Sequence, residues 1–213
     1  MFVSQRLTMR LGTVAVTLGL LGPFLFAGCA EDPPQTFDCA APSFVLGSVH
    51  VNVTTNKGTF MLELYGDKAP TTVCNFLTYV DEKFYDDTCF HRIVKGFVVQ
   101  GGGMATDACG RAEKETHDPI PLETTVELRN YEQTIAMART SVPDSATSQF
   151  FINVANNSKI LDFDSPNKPG YAVFGKVISG YEVVKTLETF GVNDSAGKPT
   201  GLVYVQTIRT MTH

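Results

Sequence analysis

Tryptophan is absent from this sequence, and only four histidines occur, His50, His91, His117 and His213. They stand far apart, never at metal-ligand spacing, and no CxxC pair adds to them, so no zinc site can be written from the sequence. No metal or other cofactor is expected. Basic residues are outnumbered, 17 Lys and Arg against 22 Asp and Glu, for a formal net charge of −5. A nucleic-acid binder needs a basic face, so no nucleic-acid partner is expected. There is no Gly-x-Ser-x-Gly elbow, and "QGGGMATD" is not followed by Gly-Lys-Ser/Thr, so neither a hydrolase nucleophile nor a phosphate loop is marked. Glu63, Asp67, Glu123 and Glu127 are scattered rather than paired. Past the first thirty or so residues no apolar run approaches the ~20 residues of a membrane span, and no internal repeat is visible.

What is present begins with an export signature. Arg6 and Arg10 are basic, no acidic residue precedes Glu31, and Leu11 to Ala27 is apolar or small. These are the parts of a signal peptide. Ala27-Gly28-Cys29 resembles a bacterial lipobox, in which the cysteine is lipidated and becomes the new N-terminus. The expectation is therefore a lipoprotein-type signal peptide over residues 1–28, a lipid on Cys29 and a bacterial envelope protein held at the membrane, facing the periplasm. The alternative is ordinary cleavage near "AGCA", leaving a soluble periplasmic or secreted protein. The acidic, Pro-bearing "EDPPQTFDCAAP" reads as part of a tether over 29–45, with the folded domain at 46–213. Apart from Cys29, the cysteines are Cys39, Cys74, Cys89 and Cys109. Four cysteines allow three pairings, and the sequence does not choose among them. Cys89, inside an apolar strand, reads as a buried free thiol.

Hydrophobic residues make up 43% of the chain, enough for a sizeable core. Val49, Val51 and Val53 alternate with polar neighbours, as do Phe60, Leu62 and Leu64, and "TNKG" between them predicts a hairpin. Pro70 suits a first helical position. Val73, Phe76, Leu77 and Val80 then follow at helical spacing, predicting a helix to about Asp81. "FHRIVKGFVVQGGG" reads as two strands around Lys95-Gly96, and Gly101 to Gln133 as a long polar loop. Strands are expected at Thr134–Ala138, Gln149–Val154, Tyr171–Ile178 and in "LVYVQTIR". A second helix is expected in "GYEVVKTLETF", with Val183, Leu187 and Phe190 on one face. Many short strands with turn signals argue for a mainly β fold, a closed barrel or sandwich, with two helices free to plug its ends.

One residue resists that apolar reading. Arg92 sits in a core-like strand, where an unpaired guanidinium costs several kcal/mol unless it is paired or open to water. Around it cluster Phe90, His91, Phe97 and Gln100. Met137-Ala138-Arg139 forms a second group, and Phe150 and Phe151 must point to opposite faces of their strand. Such a surface suits an apolar ligand with one or two hydrogen-bonding atoms, and chemistry that needs no nucleophile.

The blocks "FHRIVKGFVVQGGG", "IAMARTSVPDSATSQFFINV" and "YAVFGKV", in this order and with these gaps, resemble the signature blocks of the cyclophilins, the peptidyl-prolyl cis-trans isomerases. The resemblance runs from about Val49 to Arg209 and is nearest to the compact bacterial periplasmic members. It implies a closed eight-stranded antiparallel barrel with a helix at each end, and isomerisation of X-Pro bonds in exported proteins by a monomer. The resemblance assigns catalysis to Arg92, Gln100 and Phe97. It assigns substrate binding to His91, Val98, Ala138, Arg139, Phe151, Ile160, Leu161 and Tyr171. Ile160 stands where many eukaryotic members carry Trp and some bacterial ones Phe, so cyclosporin binding is not carried over. Mass spectrometry of the mature protein should find an acylated Cys29 at the N-terminus; an unmodified N-terminus elsewhere would sink the lipid anchor.

Overall fold

A computed structural model describes residues 47–125 and 127–211. The signal peptide at 1–28, the lipid on Cys29 and the tether at 29–45 lie outside the described residues. Within them the alternation of small and branched residues becomes a hairpin, β1 (Ser48–Thr55) and β2 (Gly58–Tyr65), paired antiparallel about Asn56-Lys57. The strands β3 (Arg92–Val94), β4 (Val98–Gly101), β5 (Thr134–Met137), β6 (Phe150–Asn153), β7 (Val173–Ser179) and β8 (Val205–Thr210) complete one eight-stranded antiparallel sheet, in the order β3-β4-β6-β5-β7-β2-β1-β8.

The ladder is open, not the closed ring that was expected. Its two ends, β3 and β8, share no ladder. The segments just before them meet only in an isolated Cys89–Tyr204 bridge, flanked by the Phe90 N–H donating to Val203 and the Val205 N–H donating to Thr88. The reason lies at the outer edge of β3. Ile93 N–H donates to the Gly197 carbonyl at 2.7 Å, Lys95 N–H to Val192, and Val192 N–H back to Ile93. A loop thus satisfies the edge groups that β8 would otherwise have paired, and buried or semi-buried backbone groups need some such partner. The result is a curled half-barrel.

Its concave side is filled by Val51, Val53, Phe60, Leu62, Leu64, Ile93, Val99, Ile135, Phe150, Ile152 and Phe174, all at or below 1% exposure. Each large side chain so buried adds about 1.5–3 kcal/mol of transfer free energy. Helix α1 (Pro70–Asp81) packs over β2 and β8 through Val73, Phe76, Leu77 and Val80, with Pro70 in its first turn as the spacing predicted. Ala69 offers no side-chain cap. The Glu123 carboxylate does so instead, accepting from the Thr71 and Thr72 N–H groups at 3.1 and 2.6 Å and from the Thr72 hydroxyl. Glu123 has a structural task that its isolated place in the sequence did not reveal. Helix α3 (Tyr181–Glu188) turns Val184 and Leu187 fully inward, while Val183 and Phe190 are only partly buried. Between them in the chain a third helix, α2 (Ser158–Leu161), forms in a stretch for which residue spacing predicts no element.

Two further points correct the sequence reading. Cys89 is not a free thiol; it is bonded to Cys109, closing a loop of 20 residues, and Cys74 is disulfide-bonded as well. The long polar stretch after Gly101 is not free-running either, for it carries a 3-10 turn at Thr106–Ala108 and an Ile120–Ala146 bridge.

Asp81 closes α1 with a carboxylate at the negative end of the helix, and no basic residue lies in that last turn. Its Oδ2 is buried and finds no hydrogen-bond partner among the described residues. Burial, with Glu82 adjacent, pushes its pKa up to about 6. The native carboxylate is therefore disfavoured relative to the unfolded chain. No penalty exists below the unfolded pKa of about 4, and it grows to its full size as pH rises through about 6. Asp81→Asn should be the more stable protein at pH 7.5, by about 1 kcal/mol after allowance for solvent screening. Thermal melts should show that difference vanishing near pH 4.

Candidate active site

The hairpin of β3 and β4 is what brings the odd arginine to a surface. Its register pairs Arg92 with Gln100, Ile93 with Val99 and Val94 with Val98. Partners across an antiparallel pair share a face, so Arg92 and Gln100 point to the same side while Ile93 and Val99 enter the core. The turn at Lys95-Gly96 is made by Gly96 at φ +67°, a conformation that L side chains rarely adopt.

On the convex side, opposite the main core, the strands carry a second apolar cluster of Val98, Ala136, Phe151, Leu161 and Val173, with Phe97, Ala138 and Tyr171 packed against it. Phe150 and Phe151 part company as their strand demands, the first into the core and the second into this cluster. Over the cluster lies a hollow of about 210 Å³ lined by Arg92, Phe97, Val98, Gln100, Ala138, Arg139, Phe151, Leu161 and Tyr171. It is smaller than the ~300–1,000 Å³ of drug-sized sites and suits one side chain rather than a whole ligand. Among the described residues its walls offer no Ser, Thr, Cys or carboxylate.

Arg92 is held at the mouth from two directions. Nε and Nη2 donate to the Ser195 carbonyl at 3.2 and 3.1 Å, and Nη1 donates to Gln100 Oε1 at 3.5 Å. A guanidinium has five N–H donors; these three bonds leave two for a ligand. Gln100 is oriented in turn, its Nε2 donating to Gln149 Oε1 at 3.1 Å, while Gln149 Nε2 donates to Glu113 at 2.9 Å. Phe97, whose ring centroid lies 5.8 Å from the Arg92 guanidinium carbon, is fixed through its backbone: its carbonyl accepts from Val154 N–H and from Asn157 Nδ2.

The other side of the hollow rests on a buried polar network. Asn157 Nδ2 donates to Asn153, Asn153 Nδ2 to Asn130, and Asn130 to Asp162 and to the carbonyls of Leu161 and Tyr171. Burial pushes the Asp162 carboxyl up, but bonds from Asn130 and Arg129 outweigh it and hold the group below the usual carboxylate range. Leu161 and Tyr171 are thereby locked at the base of α2 and the entry to β7. Arg139 is spent on the wall itself: Nε and Nη2 both donate to the Gly170 carbonyl, at 2.9 and 2.7 Å, and its guanidinium stacks 4.5 Å from the Tyr171 ring centroid.

Nine of the eleven residues singled out in the sequence for catalysis or substrate binding meet around this hollow. Two do not. Ile160 is 62% exposed on α2 and turns away from the lining that its neighbour Leu161 joins, as adjacent helical residues must. His91, just before β3 and next to Arg92, opens onto a different cavity, and its Nδ1 is buried without a partner among the described residues. Sequence reasoning missed Ser195, whose part is played by a backbone carbonyl and so leaves no signature in residue type. It also missed Gly170 for the same reason. Glu113 lay in a stretch read only as loop. Among the described residues no group of His, Cys, Asp or Glu has the makings of a metal site, and no helix is long and apolar enough to cross a membrane.

Comparison with known proteins agrees with this geometry. A peptidyl-prolyl cis-trans isomerase of Acinetobacter baylyi is 45% identical over 167 residues, covering 76% of this chain and 86% of that one. Peptidyl-prolyl cis-trans isomerase B of Escherichia coli K12 is 44% identical over 140 residues, 65% of this chain and 83% of that one. The crystal structure of a cyclophilin type peptidyl-prolyl cis-trans isomerase from Cryptosporidium parvum superposes with a TM-score of 0.65 at 27% identity, covering 78% of this chain and 99% of that one. A second structure of the same protein, 28% identical, was obtained in the presence of the dipeptide Ala-Pro. Residues 50–210 match the family described as cyclophilin type peptidyl-prolyl cis-trans isomerase/CLD, and to that family this chain belongs.

Proposed function

We propose that this isomerase acts on X-Pro bonds of exported proteins and that Arg92 lowers the rotational barrier by hydrogen bonding to the twisted amide. What carries the reading is one juxtaposition: a guanidinium with two uncommitted donors at the mouth of an apolar hollow sized for one side chain.

The chemistry needs little more. An X-Pro amide resists rotation by about 18–20 kcal/mol because its C–N bond has double-bond character. Unaided, the exchange takes tens to hundreds of seconds, slow enough to limit folding. No covalent bond breaks, so a site without a nucleophile is adequate. As the bond twists, conjugation is lost and the prolyl nitrogen regains a lone pair. A donor aimed at that nitrogen binds the twisted state better than either planar one, and only that difference accelerates the reaction. Phe97, Val98, Phe151 and Leu161 would grip the proline ring and so hold one side of the bond still while the other turns. Apolar walls also disfavour the charge-separated resonance form of the planar amide. Gln100 positions Arg92 and offers its own amide to the peptide backbone, with Ala138 lining the way beside it. Arg139, committed to Gly170, would act as wall rather than as a free donor.

The wider setting rests on the N-terminal sequence. An export signal with a lipid on Cys29 would hold the domain in the bacterial envelope, where newly exported chains fold.

In a proline-isomerisation assay on a short X-Pro peptide, Arg92→Ala should lower kcat/KM by roughly 10²–10³, the usual cost of removing one transition-state donor. The loss should fall on kcat with KM little changed. Arg92→Lys should recover only part of it, since a point charge replaces a planar fork. Gln100→Ala should cost less than Arg92→Ala. Wild-type kcat/KM in Arg92→Ala would overturn the assigned role, and peptide binding without acceleration by the wild type would overturn the catalytic reading altogether.

A further inference from the structure

Arg92 also lines a second and larger cavity, of about 680 Å³. Phe90 and Val203 in its wall are almost fully buried, and Leu202 at its rim is 52% exposed, so it has an apolar floor that opens to water. Among the described residues three cations face it, Arg92, Arg111 and Lys198, and no Asp or Glu lines it. None of the three has a carboxylate partner among the described residues: Arg111 donates to the backbone carbonyl of Asp107, and Arg92 to Ser195 and Gln100. That is an unusual concentration of positive charge for a chain of net charge −5. His91, also in the wall, adds none near neutral pH, because burial holds its pKa below the ordinary value and the Arg92 charge acts in the same sense against Glu113.

The cavity is also firm. Cys109 belongs to its wall and is tied to Cys89 beside β3, so the loop bearing Arg111 is stapled to the sheet. The loop bearing Lys198 is tied to the edge of β3 through Gly197. Both cations are therefore presented from anchored backbone. Unpaired cations around an apolar floor select an anionic partner that also carries apolar surface.

We propose that this cavity receives the stretch of client peptide flanking the proline and favours acidic residues there. The inference rests on the reading of the smaller hollow as the proline site. Arg92 is the wall common to both, so a peptide seated in one passes directly beside the other. A peptide that crosses Arg92 in extended form, advancing ~3.3–3.6 Å per residue, enters the cavity within a few residues of the proline, on the side whose wall carries Arg111 and Lys198. The consequence is a preference among clients by charge: an X-Pro segment with a nearby Asp or Glu would be held longer than a neutral or basic one.

The test uses the full chain and matched peptides, a neutral X-Pro parent and versions with Glu or Lys about two to four residues to either side. Binding is read by fluorescence polarisation and turnover by the isomerisation assay. The Glu peptide should bind about fivefold more tightly than the parent at low salt, and the advantage should fade as ionic strength rises. Arg111→Gln with Lys198→Gln should bring the ratio of acidic to neutral affinity close to one. Lys198→Glu, a surface change, should turn the preference toward the Lys peptide. If the neutral parent is turned over but Glu brings no gain on either side, the cavity proposal is overturned while the isomerase reading stands. If no peptide is turned over yet the Glu version still binds more tightly in a Lys198-dependent way, the cavity proposal stands and the isomerase reading fails. A Glu advantage that survives in the double variant also overturns it.

Discussion

The pleat of three adjacent strands governs this molecule. Successive residues of a strand point to opposite faces, and in β4, β5 and β6 both faces must be apolar. Val99, Ile135, Phe150 and Ile152 fill the interior, while Val98 and Phe151 floor the hollow with Ala136 packed among them. A sheet with one wet face would have polar residues at Val98 and Phe151 and no pocket. A shift of one residue in register would exchange the two sets and put Arg92 into the core. The two-sided pattern therefore does more than stabilise the fold. It fixes where the only charged group of β3 emerges.

Among the described residues Arg92 is then held without an ion pair. Its partners are a glutamine and a backbone carbonyl, both neutral, so the guanidinium keeps its full charge toward a ligand. A carboxylate in their place would have quenched it. The loop that supplies the Ser195 carbonyl is the same one that covers the outer edge of β3 and leaves the eight-stranded ladder open. Opening of the ring and positioning of the arginine thus have one structural cause. On the far wall, the Asn130–Asn153–Asn157 chain performs the corresponding service for Leu161 and Tyr171. Its groups are buried and satisfied, the condition under which such a network rigidifies rather than destabilises.

Much of this was legible in residue order because period and spacing are local properties. The β1–β2 hairpin, the start and end of α1, and the opposed directions of Phe150 and Phe151 follow from alternation, from Pro70 and from helical spacing. The limits were equally physical. α2 is a single short turn with too little periodicity to announce itself. In α3, Val183 and Val184 are both apolar, and only packing decides that Val184 is the buried one. Cys89 looked like a core thiol because burial and disulfide bonding leave the same apolar neighbours in the sequence, and its partner lies 20 residues away across a loop.

By itself the sequence determined the strands, the two main helices, the family blocks and the cluster of apolar side chains around one arginine, since each is written in residue type and short-range spacing. Only the tertiary structure decided that the ladder stays open, that Ser195 and Gly170 serve the site through their carbonyls, that Ile160 and His91 stand outside the hollow, and that Arg92, Arg111 and Lys198 share a second cavity. A backbone carbonyl has no residue type to read, and cations spread from residue 92 to 198 become neighbours only when the edge of β3 gathers one loop and the Cys89–Cys109 disulfide the other.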